Sequence, residues 1–129
     1  MATSLLDASA ILAALYDEPG VTRVHEALIE GAAMSTVNVA EVSAHLRARD
    51  WTSGQVKDVF EDLGIDVLPF DRATALLSGG YRSRTHHLGL GLGARACLAT
   101  ARRLRLPVLT ADRAWGQVKL RGVNVVLIR

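Results

Sequence analysis

The sequence predicts an α/β fold, a single three-layer α/β/α domain over residues 1–129 with a mainly parallel five-stranded sheet. Short apolar runs, each the length of a buried strand, alternate with longer segments whose apolar residues recur at helical spacing. This alternation favours parallel strands joined by helices that cover both faces of the sheet. A length of 129 residues suits one domain with its own core better than two.

The predicted strands are residues 4–6, 32–35, 65–68, 107–110 and 123–128. Residues 9–16 and 21–28 form the first two predicted helices, and the dipeptide Pro19-Gly20 separates them. Asn38 is expected to cap the third helix, whose inward stripe is Val39, Val42 and Leu46.

Thr52 and Gln55 match a capping box at the start of a fourth helix. This helical excursion between the second and third strands is long for a simple repeat, which suggests an arm or a dimer surface. Asp71 can cap a fifth helix, and the glycine-rich residues 78–93 are the least regular part. The last predicted helix spans residues 92–105, with an inward face of Cys97, Leu98, Ala101 and Leu104.

Composition excludes several classes of protein. Half of the residues are hydrophobic, which argues against disorder. No apolar run is long enough for a membrane span, and the N-terminus lacks a signal-peptide pattern. The single Cys97 cannot form an internal disulfide. We therefore expect a soluble, cytoplasmic protein without membrane association.

Asp7 and Asp112 share one sequence context, because each follows a buried apolar strand. In an open α/β sheet, ligands bind beyond the carboxyl ends of the strands. If the two strands are parallel neighbours, both carboxylates emerge at the same edge and repel each other unless a cation joins them. Oxygen ligands favour Mg²⁺ or Mn²⁺. The alternative is that each Asp only caps the helix or turn that follows it.

Glu41 lies beside the inward positions of the third helix, so its carboxylate can point along the sheet edge toward Asp7. The alternative is a solvated helix Glu. Residues 89–94 read GLGLGA and match a dinucleotide-binding pattern, but no strand directly precedes them. A phosphotransfer domain with Asp7 as the phosphate acceptor fits poorly, since this chain has no acidic pair before the strand that carries the acceptor.

A basic stretch follows residue 81 and is almost free of acids. Fifteen Lys and Arg against thirteen Asp and Glu give a net charge of only +2, so its distribution matters more than its size. Such a stretch can bind phosphate backbones, and it can equally be a solvated helix face. The candidate RNA-binding residues are Arg82, Arg84, Arg95 and Arg102.

Four stretches together resemble the PIN-domain ribonucleases, in particular the VapC-type toxins of bacterial toxin–antitoxin pairs. They are LLDASAIL at residues 5–12, NVAEV at 38–42, GLGLGARACLA at 89–99 and LTADRAW at 109–115. They occur in the family's order and spread across nearly the whole chain.

The resemblance implies a Mg²⁺- or Mn²⁺-dependent endoribonuclease. Asp7, Glu41 and Asp112 fall on acidic positions of the family, and Asp7 and Asp112 would hold the metal. Ser9 resembles the small polar residue that accompanies this cluster. The family also implies a homodimer and a cognate VapB-type antitoxin that blocks the site with a peptide carrying a basic residue. The RNA that is cleaved does not follow from the sequence.

The sequence departs from the family at one position. The stretch that normally reads Gly-Asp-Arg reads Gly93-Ala94-Arg95, so Ala94 removes a charge from the expected catalytic cluster. Ala94 is compatible with an engineered change, which we favour because the other motif residues are intact, or with a naturally degenerate copy. It implies impaired cleavage, and it would also suit a non-catalytic PIN-like module that binds RNA or protein.

Overall fold

The computed structural model describes residues 1–129. Its strands are β1 Ser4–Leu6, β2 Ala32–Ser35, β3 Asp66–Leu68, β4 Val108–Thr110 and β5 Val125–Leu127. Its α-helices are α1 Ala8–Leu15, α2 Val21–Glu30, α3 Thr36–Arg47, α4 Ser53–Asp62, α5 Arg72–Gly80, α6 Arg82–Thr85 and α7 Leu92–Leu104. Two 3₁₀ helices span His86–Leu88 and Arg113–Gln117.

The five strands form one sheet in the order β3-β2-β1-β4-β5, and every neighbouring pair is parallel. The predicted α/β/α architecture with a five-stranded parallel sheet is therefore confirmed. β1 lies at the centre, where Leu5 is in register with Ala33 on one side and Val108 on the other. Because β1 and β4 are parallel neighbours, the residues that follow them leave the sheet at the same edge.

Side chains alternate across the sheet and build a separate core on each face. Leu6, Met34 and Leu109 face one core, which α1 to α4 cover. Leu5, Ala33 and Val108 face the other core, which is completed by the buried residues of α7 and by Trp115. None of the seven α-helices has both the length and the apolarity needed to cross a bilayer.

Two local predictions are wrong. Asn38 does not cap α3, because Ser35 is the N-cap residue and its side chain accepts the Val37 N–H. Asn38 instead lies inside the helix and is buried. Leu104 is exposed rather than inward, because it is the last residue of α7 and the chain turns away at Arg105 in a left-handed conformation.

The helical excursion between β2 and β3 consists of α3 and α4. The predicted capping box is present at its second helix, where the Thr52 side chain accepts the Gln55 N–H and the Gln55 side chain accepts the Thr52 N–H. Val56 is buried in the core beneath α1 to α4, and Val59 and Phe60 pack against that core. The excursion is therefore packed on the domain rather than standing free as an arm.

Leu98 on α7 is fully buried, whereas Leu76 on α5 is 68% exposed. We expect Leu98→Ala to lower the free energy of unfolding by about 2–5 kcal/mol, because it leaves a cavity under the sheet. Leu76→Ala, the matched control, should change it by less than about 0.5 kcal/mol. Urea unfolding followed by circular dichroism measures both, and equal losses would contradict this description of the core.

Candidate active site at the carboxyl edge of the sheet

A small cavity of about 180 Å³ opens at the carboxyl edge of β1 and β4. It brings together all four predicted catalytic positions and the predicted supporting serine. Its lining residues are Asp7, Ala8, Ser9, Asn38, Glu41, Ala94, Asp112 and Trp115. We call this cavity the acid pocket.

Asp7 is the most firmly held side chain of the acid pocket, and it is only 5% exposed. Its Oδ1 accepts the backbone N–H of Ala10 at 2.9 Å, which makes it the N-cap of α1. Its Oδ2 accepts the hydroxyl of Thr110 at 2.6 Å. The Ser9 hydroxyl lies 2.7 Å from one carboxylate oxygen and 2.9 Å from the other. These donors fix the carboxylate at the junction of β1, α1 and β4.

Hydrogen bonds also connect Asp7 to the end of β4. The Ser9 oxygen accepts the backbone N–H of Ala111 at 2.8 Å, and the Thr110 oxygen accepts that of Asp112 at 3.0 Å. The hydroxyls that donate to Asp7 therefore also position the backbone that carries Asp112. Thr110 was not among the predicted site residues, although its position at the end of a strand, two residues before an acid, was a usable signal.

Burial raises the pKa of Asp7 from 3.8 to about 6. Desolvation of the charged form is the largest cause, and the negative charge of Glu41 adds to it. The hydrogen bonds from Thr110, Ser9 and Ala10 act in the opposite direction. Asp7 is therefore a carboxylate in an environment that favours its neutral form, which a bound cation would reverse.

Glu41 is held at the acid pocket by a residue that the sequence did not identify for this role. The side-chain amide of Asn38 donates to Glu41 Oε1 at 2.8 Å and to the backbone oxygen of Gly93 at 3.0 Å. Asn38 thereby ties α3 to the first turn of α7. Its own Oδ1 is buried and accepts no hydrogen bond.

Gly93 is the position where α7 approaches Glu41 most closely. A Cβ atom at this position would collide with the carboxylate of Glu41. The glycine therefore leaves the space that the Glu41 carboxylate occupies, and with a larger residue at position 93 the Glu41 side chain would have to move. An isolated Gly in a helix is otherwise unfavourable by roughly 0.5–1 kcal/mol relative to Ala.

Asp112 is exposed and has a looser environment than Asp7. Its Oδ1 accepts the backbone N–H of Ala114 at 3.0 Å and so caps the 3₁₀ helix Arg113–Gln117. The two alternatives for these acids thus coincide, because Asp7 and Asp112 each cap a helix and each line the acid pocket.

Ala94 lies in the first turn of α7 and is partly buried. That turn contains no acidic residue, and its N-cap Gly91 provides no side-chain hydrogen bond. A helix N-terminus favours a negative charge through the helix dipole. Position 94 is therefore a place where an acid would be stabilised, and here it contributes only a methyl group.

The donor atoms fit a hard divalent cation in type, since the acid pocket offers three carboxylates and the free amide oxygen of Asn38. They are not gathered into a compact set, because no three His, Cys, Asp or Glu side chains are grouped closely enough to hold a metal ion. With Ala94 in place, Asp7 and Asp112 are the carboxylates that would hold Mg²⁺ or Mn²⁺, with Glu41 beside them.

The four predicted RNA-binding arginines are spread over the α7 face of the molecule. Arg95 follows Ala94 in the first turn of α7, and its buried Nε has no hydrogen-bond partner. Arg82 and Arg84 are exposed on α6. Arg102 packs over Gly122 beside the amino ends of β4 and β5, at the edge of the sheet opposite to the acid pocket.

The chain is similar to known proteins over most of its length. The family described as "PIN domain" matches residues 4–120. A toxin–antitoxin complex from Klebsiella pneumoniae is similar at 20% identity and a TM-score of 0.71, covering 93% of this chain and 94% of that one. VapBC-5 from Mycobacterium tuberculosis is 20% identical, with a TM-score of 0.67 and coverage of 98% and 99%.

FitAcB from Neisseria gonorrhoeae is 26% identical, with a TM-score of 0.63 and coverage of 94% of both chains. The comparison with curated proteins gave no match.

The raised pKa of Asp7 predicts an unusual pH dependence of stability in the presence of EDTA. Between pH about 4 and 6 the folded state binds a proton that the unfolded state has released, so stability should rise as the pH falls from 7.5 to 5. Asp7→Asn removes this ionisation, and at pH 7.5 it should increase the free energy of unfolding by about 1–3 kcal/mol.

The control is Asp112→Asn, which keeps the helix cap at an exposed site and should follow the wild-type pH profile. Thermal unfolding at several pH values measures all three proteins. If Asp7→Asn shows the same slope as the wild type between pH 5 and 7, the assigned pKa is wrong.

Asn38→Ala should destabilise the protein by about 1–3 kcal/mol, because it removes the buried hydrogen bond from α3 to Gly93 on α7 and the hydrogen bond to Glu41 within α3. Asn124→Ala, at an exposed position, should be close to neutral. Chemical denaturation of both variants is the measurement. A loss for Asn38→Ala no larger than that of the control would exclude a structural role for this side chain.

Proposed function

The chain belongs to the PIN domain family, and from that premise we propose that it is a Mg²⁺- or Mn²⁺-dependent endoribonuclease, the toxin of a toxin–antitoxin pair. The observation that supports this proposal most directly is the acid pocket. Three carboxylates from α3 and from the ends of β1 and β4 line one small cavity, although they are distant in sequence. Carboxylates at one site can hold the divalent cations that assist phosphodiester hydrolysis.

Each acid has a distinct role in the proposed reaction. Asp7 and Asp112 would hold the cation, Asp7 rigidly through its three neighbouring donors and Asp112 from an exposed position that substrate can reach. A bound divalent cation would lower the pKa of a water and offset negative charge on the phosphate. Glu41 is exposed and has one oxygen bonded to Asn38, so its other oxygen is free to accept a proton from that water.

RNA is the proposed substrate, in single-stranded or structured form. Arg95, which follows Ala94 on α7, and Arg82 and Arg84 on α6 would contact its phosphates. Arg102 lies at the opposite edge and would contact only a strand that extends across the α7 face.

The proposed partner is a cognate VapB-type antitoxin. Several structures similar to this chain are toxin–antitoxin complexes, including those from Klebsiella pneumoniae and Mycobacterium tuberculosis. A basic side chain of the antitoxin, placed between the carboxylates of the acid pocket, would neutralise them and exclude the cation. A homodimer and a cytoplasmic location complete the proposal.

Ala94 favours a second candidate function, a PIN-like module that binds RNA or protein without cleaving it. Position 94 lines the acid pocket but carries no charge, and the remaining acids do not form a compact metal site. The two candidates make opposite predictions for a variant that restores an acid at this position.

We expect Ala94→Asp to raise Mn²⁺-dependent RNA cleavage at least tenfold, because a cation misplaced by about 1 Å can lower the rate by that much or more. Ala94→Asn is the matched control, since it has the same shape without the charge. Cleavage of total cellular RNA and of labelled oligonucleotides, with Mn²⁺ and with EDTA, gives the rates. Equal activity in the Asp and Asn variants would show that position 94 does not complete the site.

The proposed activity itself requires that Asp7→Asn in the Ala94→Asp background abolishes the Mn²⁺-dependent cleavage. Binding of Mn²⁺ by titration calorimetry should weaken in the same variant. If no variant cleaves RNA while all of them bind it, the non-catalytic module is the correct description.

A further inference from the structure

A second cavity, of about 630 Å³, is lined by residues that directly follow Trp115 of the acid pocket in the chain. It lies between α6 with the 3₁₀ helix His86–Leu88 on one side and the segment after Trp115 on the other. Its lining contains no hydrophobic residue: Ser83, Arg84, His87, Gly116, Gln117 and Lys119. We call it the basic cleft.

The positive charges of the basic cleft are not neutralised within the protein. Arg84 and Lys119 have no acidic partner within 4.0 Å, and no Asp or Glu lines the cleft. The guanidinium of Arg84 donates to the backbone oxygen of Lys119 at 3.3 Å, which ties the two walls together. His87 adds a ring that can donate a hydrogen bond. Two free cations and a histidine therefore converge on one open space.

Consecutive residues of one 3₁₀ helix line the acid pocket and the basic cleft. The 3₁₀ helix Arg113–Gln117 begins after Asp112, places Trp115 in the acid pocket and places Gly116 and Gln117 in the basic cleft. Consecutive Cα atoms are about 3.8 Å apart, so a polymer bound at the carboxylates would reach the cleft within a short distance.

The chemistry of the lining favours a nucleic-acid backbone over a protein partner. Protein interfaces have a core of apolar and aromatic residues, which this cleft lacks. Arg and Lys side chains are among the groups that contact phosphate oxygens and neutralise their charge. A flexible single strand can also bend from one cavity into the next.

We propose that the basic cleft binds a backbone phosphate of single-stranded RNA next to the phosphate that lies in the acid pocket. Arg84 and Lys119 contact the phosphate oxygens, and His87 donates a further hydrogen bond. This inference rests on the proposed function for its substrate class. It adds His87 and Lys119 to the RNA-binding residues and gives Arg84 a defined place among them.

The test is the salt dependence of RNA binding by the full chain. Binding of a fluorescent single-stranded RNA oligonucleotide is measured by anisotropy in EDTA, so that no cleavage occurs, at several salt concentrations. For single strands, each phosphate contact contributes about 0.7 to the slope of log affinity against log salt. The double variant Arg84→Gln/Lys119→Gln should lower the magnitude of that slope by about 1.4 and weaken binding at least tenfold at low salt.

The matched control is Lys57→Gln, which removes an exposed charge on α4, away from both cavities. It should leave the slope unchanged, and thermal unfolding should show that all variants are folded. The affinity for DNA of the same sequence should fall equally in the double variant, because the phosphate is common to both polymers. A loss for RNA alone would overturn the phosphate assignment in favour of ribose contacts.

The inference is overturned if the double variant retains the wild-type slope, or if it loses only the binding of an antitoxin and keeps that of RNA. The outcome is separable from the proposed function. Weaker RNA binding by the double variant supports the basic cleft even if no variant cleaves RNA, whereas cleavage with unchanged RNA binding supports only the nuclease. In the Ala94→Asp background, the double variant should raise KM at unchanged kcat.

Discussion

The buried carboxylate of Asp7 is the constraint on which the rest of the site depends. It stands at the end of the central strand, where α1 begins and where β4 ends alongside. Ser9, Ala10 and Thr110 hold it by hydrogen bonds. The hydroxyls of Ser9 and Thr110 also accept backbone N–H groups at the end of β4 and so position the backbone that carries Asp112. The same atoms thus complete a helix cap, join two strands and set the separation of two acids.

A buried acid with a raised pKa is unfavourable for folding at neutral pH unless something offsets its charge. Without a bound ligand, the unfavourable free energy of burying the charged Asp7 carboxylate is not offset. A bound cation, or the basic side chain of an inhibitory partner, would offset this negative charge. Either would therefore stabilise the folded state. Under the proposed function, cation binding and inhibition by an antitoxin would therefore both stabilise the charged form of Asp7.

The second constraint lies between α3 and α7. Asn38 joins the two helices, and Gly93 leaves room for the carboxylate of Glu41. Beside them Ala94 adds no charge to the acid pocket, while Arg84 and Lys119 line the basic cleft without an acidic residue among its lining. Under the proposed function, RNA binding and RNA cleavage would depend on different residues, and the residue at position 94 would affect cleavage without affecting binding.

The sequence by itself determined the strands, most of the helices and the acids, because apolar periodicity and the residues that end each run are local signals. It predicted that Asp7 and Asp112 would meet, because both follow buried strands of a parallel sheet. Only the tertiary structure decided the role of Asn38 and the position of Lys119 beside Arg84. Asn38 looked like a helix cap, and it became a buried link because α7, more than fifty residues later in the chain, packs against it. Such contacts depend on how distant elements meet, which no local pattern encodes.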